Sequence, residues 1–309
     1  MTPSVSVIIP TYNRIMVFAA IASVLAQHAV KFELIVVDDG STDGTWPQLR
    51  CIAAKAPATM RVVRTENRGV AAARNVGVAM ASAPLTALLD SDDLWVPDKL
   101  SRQVEFMHLH PRCEISQTDE IWVRDGRRVN PGVRHRKRGG DIFIDSLRTC
   151  LVSPSAVILR TAYLRKVGGF DEDMAAAEDY DLWLRILANH EAGYIDEPLV
   201  TRRAGHPDQL SATVTAIDRF RILALLKLLT RPDLTAARRE AVCDILAEKS
   251  AIYAKGLVRR GRKDATGLIS GLRSGALGPW RTGSDEGLAF ATAAMRSHVK
   301  CGAITGLGQ

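Results

Sequence analysis

The sequence predicts an α/β fold built on a doubly wound sheet. Three observations carry this: short β-branched runs recur through the first 90 residues, segments of helical period separate them, and polar clusters fall just after the runs. "VSVIIP" (5–10) is the first run, closed by proline, and "FELIVVDD" (32–39) the second, closed by acids and the turn cluster "GSTDGT". Between them "VFAAIASVLAQ" (17–27) sets Ile21, Val24, Leu25 and His28 at helical spacing, as a crossover helix between parallel strands should. "MRVVRT" (60–65), the alanine-rich "GVAAARNVGVAMAS" and "LTALLD" (85–90) continue the rhythm, so four β-α units in a row predict parallel pairing.

From about residue 97 the rhythm changes. "PDKLSRQVEFMHLH" starts a helix with Pro97 near its first turn, and "CEISQTDEIWVRDGRRV" reads as strands with a turn at Asp125-Gly126. The span 124–138, "RDGRRVNPGVRHRKR", holds seven Lys and Arg against one acid, and Pro131 and Gly132 argue for a mobile, irregular loop. "SPSAVILR" (153–160) resumes a strand, "TAYLRKVGG" a short helix, and "EDYDLWLRILANH" (178–190) a strong helix with Leu182, Ile186 and Leu187 on its inward face. Beyond Gln209, helices such as "DRFRILALLKLL" alternate with Gly/Pro breaks. The expected division is a domain over 1–206, with halves 1–95 and 96–206, followed by a helical region over 207–309.

Composition narrows the function classes. With 309 residues, 47% hydrophobic, the chain can bury a substantial core. Five scattered cysteines without a CxxC pair argue against a disulfide framework or a structural zinc site, and fit a reducing cytoplasm. No apolar run approaches the roughly 18 residues of a membrane span, and the N-terminal segment lacks a signal peptide's basic start and longer apolar core. The net charge of +7 comes entirely from residue 206 onward, with 16 Lys and Arg against 9 Asp and Glu. Such a basic helical tail reads either as a solvated face or as a contact for an anionic membrane surface. Nucleic acid is not expected, because aromatic residues do not interleave the basic ones.

In doubly wound sheets, ligands bind at the carboxyl ends of the strands. Tyr12, Asn13 and Arg14 follow the first strand, Asp38 and Asp39 end the second, Asn67, Arg68 and Gly69 follow the third, and Asp90, Asp92 and Asp93 the fourth. Three acids within four positions repel one another, a cost that a divalent cation removes; hard cations take carboxylates together with phosphate oxygens. The alternative is a turn with a helix N-cap, where aspartate is common. Glu178, Asp179 and Asp181 stand at a helix start, where the macrodipole favours acids.

Taken in order, "VSVIIPTYNR", "LIVVDDGSTDGT", "NRGVAAARNVGV", "LLDSDDLW", "GGFDE" and "EDYDLWLR" resemble the family 2 glycosyltransferases with the GT-A fold, over roughly residues 4–206. The resemblance implies a mixed, doubly wound sheet flanked by helices. It also implies a metal-dependent, inverting transfer of a sugar from a nucleotide-diphosphate donor to a hydroxyl; the acceptor is not set by the resemblance, and the basic tail points to a polysaccharide, glycolipid or lipid-linked glycan. Donor contacts are expected from Pro10, Thr11, Tyr12, Asn13, Arg14, Asp39, Arg68, Arg74, Asn75, Asp90 and Ser91, and Mn2+ or Mg2+ from Asp92 and His206. Asp179 is expected as the base that takes the acceptor proton, with Glu178 supporting it. Bland readings stand beside these: a capped turn for Asp38 and Asp39, a ring packed under its loop for Tyr12, a surface ion pair for Arg74 and for Arg202 with Arg203, core packing for Trp183. Ser153 and Ser155 are placed near an acceptor site and Asp93 as a turn cap. A sugar nucleotidyltransferase would carry a Gly-rich basic loop after the first strand, which "PTYNR" lacks; a non-catalytic nucleotide-sugar-binding protein is the other alternative. The expected location is the cytoplasm, with peripheral contact at the inner face of the membrane through the basic C-terminal helices. Donor sugar, linkage and oligomeric state are left open.

Overall fold

The computed structural model describes residues 2–56, 59–205, 214, 216–262, 267–273, 277–281, 283 and 287–304. The chain forms two compact units, neither continuous in sequence: Met1–Ile142 with Thr149–Glu172 and His190–His206, and Phe143–Arg148 with Asp173–Asn189 and Pro207–Gln309. The segment bearing Glu178 and Asp179 therefore groups with the C-terminal helices.

The first unit opens with the four β-α steps: β1 (Val5–Thr11), α1 (Val17–Leu25), β2 (Phe32–Asp38), α2 (Thr45–Lys55), β3 (Met60–Arg64), α3 (Val70–Met80) and β4 (Leu85–Leu88). β2 and β4 flank β1 and β3 adds outside β2, all parallel. Crossovers thus leave β1 in opposite directions, and the gap between the carboxyl ends of β1 and β4 is a topological switch point. Every residue of β1 is buried, as expected of a strand covered on both faces. Val5, Val7 and Ile9 pack with Val17, Ala20, Ile21 and Val24 of α1; on the other face Ile35 and Val37 pack with Ala73 of α3. The buried face of α1 is thus 17, 20, 21 and 24, while Leu25 and His28, placed inward by the sequence pattern, are exposed. Alanines fill α3 because it lies close on the sheet: a Cβ on Gly77 would overlap the Ile8 side chain.

The remainder of this unit makes the sheet mixed. β5 (Leu94–Trp95), α4 (Lys99–Leu109), β6 (Ile115–Arg124), β7 (Arg127–Val129), β8 (Val157–Arg160), a helix over Thr161–Lys166 and β9 (Ala192–Ala204) follow in turn. The order is β3-β2-β1-β4-β8-β6-β9-β5, with β7 paired to β6 and with β8 antiparallel to both neighbours. Two elements were not anticipated. β5 is only two residues long, and β9 contains Pro198, which sits opposite Asp119 where the β6–β9 register shifts.

The irregular loop expected over 124–138 is mostly ordered. β6 and β7 form a hairpin whose turn residues Asp125 (φ 50°) and Gly126 (φ 74°) both take positive φ, the geometry that matches strand twist in a two-residue turn. A single 3₁₀ turn, Val133–His135, follows. Lys137 is then buried.

The second unit is helical: α5 (Phe143–Arg148), α6 (Glu178–Leu187), α7 (Asp218–Leu229), α8 (Ala236–Arg259), with shorter helices Leu268–Arg273 and Gly278–Arg281 and a final one over Leu288–Ile304. α6 and α7 are buried on nearly all sides, and Asp181 survives burial in α6 by pairing with Arg185 (2.9 Å) and Lys227 (2.6 Å). Among the described residues no helix is long and apolar enough to cross a membrane.

Gly77→Ala is expected to lower stability by about 1–3 kcal/mol through overpacking against Ile8, despite the better helix propensity of alanine; a shift in the urea midpoint at unchanged slope measures it.

Candidate active site at the carboxyl ends of the first strands

Strand register brings the loops together. Thr11 is level with Asp38, and Asp38 with Arg64, so the segments after β1, β2 and β3 share one rim. Asn13 (φ 45°) joins the first two: its N–H donates to Ser41 Oγ (2.8 Å), and its Oδ1 accepts from the Thr42 N–H (2.6 Å). Tyr12 stands beside it, 44% exposed as a residue, against its ring being wholly buried under the loop. Asp39 is buried and shapes the third loop, accepting from the N–H groups of Arg68 (3.0 Å) and Gly69 (2.8 Å) and from the Thr65 hydroxyl (3.2 Å). Asp38 accepts from the Ser41 N–H and faces Arg64 at 3.4 Å. Its Oδ1, like the Thr11 hydroxyl, is buried without a hydrogen-bond partner among the described residues.

The acids after β4 are held by arginines from elsewhere. Arg14, after β1, pairs with Asp92 at 2.5 Å, and Arg74, buried in α3, pairs with Asp90 at 2.7 Å. Asp93 turns inward, accepting from Ser155 Oγ (2.6 Å) and the Arg203 N–H (2.9 Å). Burial, with the charges of Asp92 and Asp90, pushes its carboxyl well above the usual range. Ser155 also accepts from the Asp90 N–H (3.1 Å), and Arg203 Nε donates to the Asp92 carbonyl. Ser155 and Arg203 therefore set the shape of this turn.

The acids form a hard-oxygen donor set whose mutual repulsion is visible in Asp93. Among the described residues no three His, Cys, Asp or Glu gather closely enough to hold a metal by themselves. A cation here would take one or two carboxylates and complete its shell with phosphate oxygens, a pattern that fits Mg2+ and Mn2+.

Other expected site residues serve different ends. Arg68 pairs with Glu172, and Asn75 binds the "GGFDE" segment through both backbone groups of Phe170 (2.9 Å each) and Glu172 (2.9 Å). The Arg74 guanidinium also lies 5.1 Å from the Phe170 ring centroid. Pro10 is buried within β1, and Ser91 is buried in the turn after β4. In the second unit, Glu178 is buried, Asp179 Oδ1 accepts from the Tyr180 N–H (2.7 Å), and Trp183 lies in the core at 1% exposure. His206 lies outside the described residues.

A buried network beside Ser155 carried no sequence signal, since Lys137 is indistinguishable from its basic neighbours. Glu120 accepts from Ser153 Oγ (2.6 Å) and Trp122 Nε1 (2.8 Å), with Lys137 at 3.4 Å and Arg202 at 3.6 Å. Arg202 stacks on the Trp122 ring at 4.9 Å. Burial alone would push the Glu120 carboxyl up; the charges of Lys137 and Arg202 and the two hydrogen bonds outweigh it and hold it low.

A profile of glycosyl transferase family 2 matches residues 6–167. The chain belongs to that family. It is 32% identical over 188 residues to WfaP of Escherichia coli, a UDP-Glc:alpha-D-GlcNAc-diphosphoundecaprenol beta-1,3-glucosyltransferase, covering 60% of this chain and 70% of WfaP. Matches of 196 residues at 35–36% identity to Rickettsia glycosyltransferases span about a third (32%) of the length of those relatives. Among solved structures, TarS 1–349 of S. aureus in complex with UDP-GlcNAc aligns with a TM-score of 0.68 at 21% identity, over 98% of this chain and 92% of that one. Mannosyltransferase PcManGT of Pyrobaculum calidifontis, in complex with GDP-Man and Mn2+, aligns at 0.56 and 21%, over 100% and 88%. The family 2 chain has the GT-A fold.

Glu120→Gln is expected to cost about 3–5 kcal/mol, because it leaves Lys137 buried and uncompensated, and Lys137→Met in the same chain should recover much of the loss. Glu120's folded pKa is depressed, so its contribution is full above the unfolded carboxylate pKa and lost as pH falls through the folded one. Denaturant titrations at neutral and acid pH read both effects.

Proposed function

We propose that this family 2 chain is a metal-dependent, inverting glycosyltransferase that moves a sugar from a nucleotide-diphosphate donor to a hydroxyl on a polysaccharide, glycolipid or lipid-linked glycan. The observation that carries it is the placement of Asp90 and Asp92 at the β1–β4 switch point, each ion-paired with an arginine of another segment. Such a rim offers carboxylates for a cation and guanidinium groups for phosphate within one small volume.

Asp92, with His206, would hold Mn2+ or Mg2+, which as a Lewis acid stabilises charge on the departing diphosphate. Arg14 pairs with one oxygen of Asp92 and stands where a guanidinium would also meet the phosphates. Tyr12 offers an exposed aromatic face to a nucleobase. Asp39 orients the N–H groups of the third loop, and its Oδ2, which among the described residues accepts from the Gly69 N–H alone, keeps a lone pair for a base or ribose donor. Asp179 takes the acceptor proton, with Glu178 beside it at the first turn of α6. The Mn2+ and GDP-Man of the mannosyltransferase and the UDP-GlcNAc of TarS support this donor chemistry, and the diphosphoundecaprenol acceptor of WfaP supports a lipid-linked one. A lipid-linked acceptor brings the chain to the inner face of a membrane, where the basic C-terminal helices supply contact. A non-catalytic nucleotide-sugar-binding protein would share the donor contacts but not the role of Asp179.

Titration with UDP, GDP, dTDP and CMP, followed by thermal stability, is expected to show nucleoside diphosphate binding that Mn2+ strengthens and Asp92→Asn weakens. Binding unaffected by metal in both chains would remove metal dependence. Asp179→Asn is expected to keep donor binding while transfer falls about a hundred- to ten-thousandfold, read by release of nucleoside diphosphate with an acceptor or water. Parental rates in that variant would exclude Asp179 as the base.

A further inference from the structure

Within the second unit a cleft of about 260 Å³ opens between the start of α7 and the last turns of α8, lined among others by Asp218, Ile252, Tyr253, Lys255, Arg259 and Arg260. Its charge is one-sided. Asp218 is already paired with Arg221 at 3.3 Å, and among the described residues none of Lys255, Arg259, Arg260 and Arg262 has a carboxylate partner.

A helix C-terminus attracts cations, which accounts for a basic residue or two at this end of α8. It does not account for Arg219. This side chain is 92% buried at the first turn of α7, and its Nε has no hydrogen-bond partner among the described residues. Burial pushes its pKa down, and the positive charges of Arg262 and Arg260 push it further against the opposing effect of Tyr253. Arg260 itself folds back over Gly256, where a Cβ would stand 2.9 Å from its Nη1, and lies 6.0 Å from the Tyr253 ring. Arg219 is thus partly dehydrated and short of an acceptor, while Arg259, Arg260 and Arg262 are exposed cations beside it, a concentration of positive charge that a bound anion relieves.

The surroundings identify the kind of anion. Ile252, Lys255 and Arg259 are spaced to share one helix face, and Ile252 and Val258 are 51% and 78% exposed. Exposed aliphatic side chains interleaved with cations are the composition of a helix lying on a charged lipid surface, where apolar groups enter the headgroup boundary and cations meet phosphate. We propose that this cleft binds the phosphate headgroup of an anionic membrane phospholipid, with Lys255, Arg259 and Arg260 around the phosphate, the charge of buried Arg219 adding to their field, and Ile252 against the lipid. The inference rests on the peripheral membrane placement proposed above and gives it a defined site.

Full-length protein should be co-sedimented with vesicles of phosphatidylcholine alone and of phosphatidylcholine doped with phosphatidylglycerol. Binding is expected only to the doped vesicles and should fall on the order of a hundredfold in the triple variant Lys255→Ala/Arg259→Ala/Arg260→Ala. Arg127→Ala/Arg128→Ala/Arg134→Ala, which removes three charges from the β6–β7 region, is expected to stay within about threefold of the parent, because those side chains do not line the cleft. Equal losses in the two variants, or equal binding to both vesicle types, would overturn the proposal. So would stabilisation by inorganic phosphate without vesicle binding, which would make the cleft a site for a soluble anion. Far-UV dichroism checks that the α8 variant folds, and the milder Lys255→Ala/Arg259→Ala, confined to exposed residues, repeats the comparison. Donor nucleotide binding on the same preparations tests the transferase assignment separately.

Discussion

Carboxylates crowded at the carboxyl ends of parallel strands repel one another, and the rim of the first unit is organised around that repulsion. Asp38 and Asp39 end one strand and Asp90, Asp92 and Asp93 follow another, all where the sheet's topology brings loops together. Each is answered from a different part of the chain: Arg64 for Asp38, backbone N–H groups of the third loop for Asp39, Arg74 for Asp90, Arg14 for Asp92, and Ser155 with the Arg203 N–H for Asp93. Removing one charge here disturbs its neighbours, so effects of substitutions within this group should not add.

The same logic runs beneath the surface. Glu120 and Lys137 are almost wholly buried, and each is tolerable only because the other is present and hydroxyl and indole groups complete the shell. Lys137 thereby ties down the chain that follows the β6–β7 hairpin, which is why a run rich in arginine, proline and glycine is ordered. The α7–α8 cleft differs in that its cations have no such counterparts among the described residues.

Much of the first unit was legible because local periodicity and long-range packing agree there. The four β-α steps follow from β-branched runs alternating with helical spacing, and the rim positions follow from the rule that ligands meet strand ends. What stayed hidden depends on contacts distant in sequence. Arg14 and Asn75 read as donor contacts from their motifs, but their partners in the fold, Asp92, 78 positions away, and Phe170, 95 positions on, have no local signal. β9 was obscured by Pro198, which the sheet accommodates at a register shift. Leu25 and His28 share a helical spacing with Ile21 and Val24, yet Leu25 falls on the exposed side of α1 and His28 lies beyond its end, so periodicity alone did not locate the buried face.

The Arg14–Asp92 pair bears on the order of events at the proposed donor site. In this arrangement the acid already has a cation, supplied by the chain itself, so a lone divalent ion gains little by displacing it. An incoming diphosphate changes the balance by offering the guanidinium a new home while lending its own oxygens to the metal. Were the metal held there as proposed, the two would then be favoured to arrive together.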